Sequence, residues 1–149
     1  MESLNISIGM KEYQLVEGGA VLSFNPGDPN VYARYMEALP KIKSVEMEMA
    51  AKAKAINASE PDAGEKSLQI MRETDRRMKE LLNSIFGEGN DFEKILKGVN
   101  LMAVTETGRV ISNVLDALTP IMNAGAKSCV SDEVAAARMN REQRRAMQQ

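Results

Sequence analysis

The stretch Ile85-Phe86-Gly87-Glu88-Gly89-Asn90-Asp91-Phe92 constrains this chain more than any other, because it ends one helical segment and starts the next. Two glycines one residue apart supply the φ > 0 conformations that stop a helix and reverse the chain. Asn90 or Asp91 then caps the following helix by accepting a bond from a first-turn N–H. Phe86 and Phe92, two of only three phenylalanines, bracket the turn and pin both sides of it into one core. A phosphate-cradling glycine loop does not fit. No strand precedes the turn, no Gly-Lys-Ser/Thr follows it, and Glu88 and Asp91 repel an anion. Phe86, Gly87 and Gly89 are a structural turn.

Upstream, Leu4, Ile6 and Ile8 alternate with polar residues, the pattern of a half-buried strand over residues 3 to 8. Gly9-Met10 reads as a tight turn, Lys11 to Val16 as a return strand, and Ala20 to Phe24 as a third short strand. The sheet is expected to pack on the chain's own helices, and an exposed edge in it is the alternative, a place for a partner's strand. Asp28-Pro29 then caps and opens a helix that runs towards Asn57, with Pro40 kinking or interrupting it. Tyr35, Ile42, Met49 and Ile56 recur every seven residues along it. Ala58 to Gly64 is a break, read either as a first turn capped by Ser59 with Pro61 near its start or as a mobile linker, before a helix from about Glu65 to Ile85. Met71, Met78 and Ile85 form the seam of that helix. The two stripes predict an antiparallel helical hairpin with coiled-coil-like contact, within the chain or between copies.

Downstream, Asp91 to Lys97 reads as a short helix closed by Gly98. A longer helix from about Ala103 or Thr105 to Asn123 carries Val104, Ile111, Leu115, Leu118 and Met122 inward. Pro120 is its kink or stop and Gly125 its C-cap. Ser131 caps a last stretch holding Arg138, Arg141, Arg144 and Arg145, a charge order that suits the helix dipole. The fold class is mainly α (α+β). A small N-terminal β-hairpin or three-stranded meander leads into the helical hairpin, the short helix and a buried C-terminal helix. One helical domain spans 1–126, and 127–149 is a basic helix or flexible tail.

Composition narrows the chemistry. The chain has 149 residues, 44% hydrophobic and 27% charged, with no Trp and 11 methionines, which favours aliphatic helical packing. It contains no histidine and one cysteine, Cys129. The usual neutral-pH acid/base, His/Cys zinc sites and Ser–His or Cys–His nucleophiles are therefore absent. Paired Asp/Glu carboxylates, for glycosidic bonds or for Mg²⁺, are the one catalytic alternative left, and the reading adopted is a protein that is not an enzyme, with no cofactor and no metal. The net charge of −2 advertises neither nucleic acid nor acidic membrane as a partner, and no aromatic residue interleaves the arginines for base stacking. No apolar run approaches membrane-spanning length and no basic leader is present, so a soluble cytoplasmic protein is expected.

The order of parts resembles a known family. Lys11-Glu12-Tyr13 lies on the return strand, Asn25-Pro26-Gly27-Asp28-Pro29 opens the long helix, and a second helix runs into Ile85-Phe86-Gly87-Glu88-Gly89. A final apolar helix surrounds Leu115 to Pro120. Over about residues 5 to 123 this is similar to the tail assembly chaperones encoded in tail gene clusters of phages and prophages of Gram-positive bacteria. The Val16 to Leu22 run and the Asn57 to Gly64 linker depart from that pattern. The resemblance implies a non-catalytic protein in the cytoplasm of the infected host. Such a protein binds the helical tape measure protein, or another phage tail protein, and keeps it soluble during tail morphogenesis. The residues are compatible with that role, since Met-rich helical faces adapt to a client, and many weak copies along one client give avidity. A homo-oligomer is expected. Periodicity, not the family, selects Tyr35, Ile42, Met49 and Ile56 as partner-binding, with Arg138, Arg141, Arg144 and Arg145 as a second candidate set. Other readings are a small phage-encoded inhibitor of a bacterial defence system and a structural tail protein.

Overall fold

The computed structural model describes residues 1–148. Strands β1 (Lys11–Tyr13) and β2 (Leu22–Phe24) pair antiparallel, with Glu12 opposite Ser23. Helices α1 (Pro29–Lys54) and α2 (Ala63–Phe86) follow, then a single turn α3 (Phe92–Ile95). A two-residue hairpin, β3 (Val104–Thr105) with β4 (Gly108–Arg109), leads into α4 (Val110–Gln148). The molecule is mainly helical with a small N-terminal hairpin.

Asp28 caps α1 by accepting from the Asn30 N–H, and Pro29 occupies the first turn, where a missing N–H costs nothing. The helix continues through Pro40, which lies on its exposed face. α2 runs antiparallel to α1: the Arg34 Nε donates to the Ile85 carbonyl at one end, and Arg77 meets Glu48 further along. Tyr35, Ile42 and Val45 of α1 pack with Met78, Leu82 and Ile85 of α2 and with Ile111, Leu118 and Met122 of α4. Each such side chain contributes about 1.5–3 kcal/mol on leaving water. The Tyr35 hydroxyl shares a short hydrogen bond with Thr119 Oγ1, which joins α1 to α4.

The glycine turn is built around its aromatic neighbours. Gly87 and Gly89 both have φ near +90°, and Asp91 caps α3 by accepting from the Glu93 N–H. Ring centroids of Phe24 and Phe86 lie 4.7 Å apart, and those of Phe86 and Phe92 5.8 Å apart, so β2, α2 and α3 meet in one aromatic row. Asn90 is buried and has a different task from capping. Its Oδ1 accepts from the Ser23 N–H, while its Nδ2 donates to the Ser23 and Phe86 carbonyls. One side-chain amide thus stands where a third strand would pair with β2.

Several expectations from the sequence are corrected. Residues 3 to 8 form no strand: Leu4, Ile6 and Ile8 are 89%, 82% and 62% exposed. The strand that buries its side chains is β2, whose Leu22 and Phe24 fill the core, and it pairs with Lys11–Tyr13. Ser59 does not cap α2, because its N–H and hydroxyl both donate to Asn57 Oδ1 and the helix starts at Ala63. The last long helix starts at Val110, after Val104, which is exposed instead of inward. Thr105 Oγ1 accepts from the Thr107 N–H and from Asn113 Nδ2, and donates to the Gly108 carbonyl, so side-chain bonds hold a turn there.

Neither Pro120 nor Gly125 ends α4, and no break occurs at Cys129 or Ser131. Pro120, like Pro40, faces outward. Gly125 is a place of close approach: a Cβ built on it would lie 1.8 Å from the Pro26 carbonyl oxygen. The basic stretch is therefore the continuous end of α4, not a separate tail.

Candidate partner-binding surfaces

Ionisable groups come first, since they carry any chemistry. Lys79 is 4% exposed, and its ammonium lies 2.9 Å from Asp75 Oδ2 and 2.6 Å from Glu93 Oε2. Asp75 Oδ1 also accepts from the Leu101 N–H. The cluster ties α2 to α3 and to the segment before β3, so it acts as a clamp. Replacing Lys79 by Met leaves the mostly covered Asp75 carboxylate without its cation. Denaturant unfolding is expected to show a loss of about 2–3 kcal/mol, below the figure for a fully buried pair because Glu93 reaches water. An unchanged midpoint would refute the clamp.

Glu48 and Arg77 meet at 2.6 Å across the helical hairpin. The Arg77 hydrogen bond and charge hold the Glu48 carboxyl below the usual range, and the Glu48 hydrogen bond raises the Arg77 guanidinium. A lowered carboxyl contributes stability that is in place above the ordinary glutamate value and is lost as pH falls through its folded value. Both groups touch solvent, so this is a minor tie. Among the described residues, no three His, Cys, Asp or Glu side chains converge as a metal site would require, and no helix is long and apolar enough to cross a membrane.

The surface offers apolar features instead. Tyr35 and Ile42, read from the sequence as partner-binding, are 1% and 2% exposed and belong to the core, with nothing left to present to another protein. The heptad stripe that selects them is real, but its first half is consumed by α2 and α4. Met49 and Ile56, its second half, are half-buried, Met49 against the core and Ile56 beyond the end of α1. The last buried residue of α1 is Val45 and the first of α2 is Thr74; from Glu46 to Glu73 none is fully buried. This distal hairpin exposes Met47, Leu68 and Met71. Arg138, Arg141 and Arg145 lie exposed on the far part of α4, and the side chain of Arg144 lies outside the described residues. Phe86, Gly87 and Gly89 sit at the end of α2 and in the turn after it.

A second feature escaped sequence reasoning. A cleft of about 430 Å³ runs between the segment after β1 and α4, lined by Tyr13, Leu15, Val16, Val110, Val114 and Ile121 among others. Gln14 and Asn113 are its only polar lining residues. A second cleft of about 560 Å³, reaching from Gly9 and Asn25 to Gly125 and Ser128, shares Tyr13 and Ile121 with the first. The β1–β2 connection and α4 are far apart in sequence, and periodicity within either element does not reveal the hollow they enclose.

A family model described as a family of unknown function, DUF6673, matches residues 18–148. The chain belongs to that family. The DUF6673 match takes in β2, the helical hairpin, the glycine turn and α4, while Leu4, Ile6 and Ile8 precede it. No curated protein and no solved structure matches the chain.

Proposed function

We propose that this protein is a non-catalytic assembly chaperone of a phage tail, which binds the helical tape measure protein in the host cytoplasm and keeps it soluble until the tail forms. The observation that carries this reading is the distal helical hairpin, where Met47, Leu68 and Met71 are exposed and Met49 and Ile56 half-covered. Flexible, polarizable Met side chains suit apolar helical clients whose contact faces vary along their length. Arg138, Arg141 and Arg145 add positive charge for acidic stretches of the same client. The similarity in the order of parts to tail assembly chaperones supports the choice of client.

Co-expression with the tape measure protein tests it. The parent chain is expected to keep the client in the soluble fraction, and a Met47→Glu/Leu68→Glu/Met71→Glu variant to lose most of it. The three positions are exposed, so the variant keeps its fold, which circular dichroism checks. Equal client solubility with parent and variant would overturn the assignment of this surface, and failure of the parent to retain the client would overturn the function.

A further inference from the structure

The segment before β1 has the features of a strand without a partner. Leu4, Ile6, Ile8 and Met10 fall on alternate residues, all are at least half exposed, and Ser3 to Met10 carries no charge. Its exit from the body is fixed. Asn25 Nδ2 donates to the Ile8 carbonyl, and Gly9, at φ +73°, changes the chain direction before β1. Gly9 and Asn25 line the second cleft, which shares Tyr13 and Ile121 with the uncharged hollow beside α4.

The hollow and the segment match in length and in chemistry. Six extended residues, Ser3 to Ile8, span roughly 20 Å. The lining part of α4, Val110 to Ile121, spans roughly 18 Å. An uncharged, alternating apolar strand thus meets an uncharged apolar hollow. A backbone edge is also open there. Because Ser23 directs its N–H and C=O to Asn90, away from β1, the opposite residue Glu12 directs its own groups outward, and none of the described residues bonds to them.

We propose that Ser3–Ile8 of one copy docks along β1 and into the α4 hollow of a second copy, in a reciprocal exchange that makes a dimer. Two arms, each burying on the order of 500 Å² of itself and a like area of the hollow, cover on the order of 2,000 Å², which reaches the size of stable interfaces. The inference is independent of the client, whose surface is the far end of the helical hairpin.

Sedimentation of the full chain over a range of concentrations tests it. The parent is expected to dimerise. A Leu4→Glu/Ile6→Glu variant is expected to weaken the dimer at least about tenfold, since charged side chains cannot enter the hollow. Ala117→Arg, an exposed position in the lining of the hollow, is expected to do the same by blocking it. An equimolar mixture of the two variants regains part of the association, because the intact arm of one meets the intact hollow of the other while the second exchange stays blocked. Circular dichroism establishes that both variants are folded. A parent that stays monomeric, as it would if each arm closed on its own hollow, overturns the proposal. A dimer insensitive to both variants overturns it too.

Discussion

Gly125→Ala is expected to destabilise the fold by about 2–3 kcal/mol, although the same change in an ordinary helix stabilises by roughly 1 kcal/mol. The sign reverses because of what faces the glycine. An added Cβ would lie 1.8 Å from the Pro26 carbonyl oxygen and 2.5 Å from its carbon. These are backbone atoms, and no rotamer change can move them aside. Either α4 backs away from the 25–27 turn, or that turn shifts and disturbs the Asp28 cap of α1. Thermal or denaturant unfolding reads the effect. A Gly125→Ala variant as stable as the parent would mean that α4 does not cross the turn at this point. Gly64, which has open space around it in the first turn of α2, is the control: alanine there is tolerated.

Asn90→Leu is the second large effect. The side chains are similar in volume, so the change isolates hydrogen bonding from packing. It leaves the Ser23 N–H, the Ser23 carbonyl and the Phe86 carbonyl without their partner next to a core of Phe24, Phe86 and Phe92. Part of the shortfall is met by water entering beside β2, so a loss of about 3 kcal/mol is expected rather than the full sum over three groups. Asn90→Asp does not rescue it. A carboxylate accepts from Ser23 but faces two carbonyl oxygens with no proton to offer. Denaturant unfolding gives the loss, and faster exchange of the Ser23 amide proton locates it. If Asn90→Leu unfolds at the parent's midpoint, the amide contributes nothing to holding β2.

Much of this architecture was legible in the residues, and the exceptions have physical causes. Asp28-Pro29 and the paired glycines at 87 and 89 set local backbone states directly, so the start of α1 and the end of α2 follow from them. Gly125 misled because the same residue type has two uses. Prolines 40 and 120 interrupt neither helix, and both lie on outward faces. A glycine ends a helix when φ turns positive, but Gly125 remains helical and serves to let another backbone close in. The alternation at Leu4, Ile6 and Ile8 misled as well, because alternation describes side-chain spacing and cannot supply the pairing edge that a strand needs, and these residues lie exposed outside the β1–β2 ladder. Likewise the seven-residue stripe of α1 says that Tyr35, Ile42, Met49 and Ile56 share a face, not how far along that face the core extends. Burial along α1 stops at Val45, a limit set by the tertiary arrangement and not by the periodicity of the stripe.

The amide of Asn90 has one further consequence. By occupying the outer side of β2, it makes the little sheet finite in one direction, and a newcomer finds backbone groups to pair with only beside Glu12. Addition to this sheet is confined to one margin, so a visiting strand has a single side, that of β1, on which to pair.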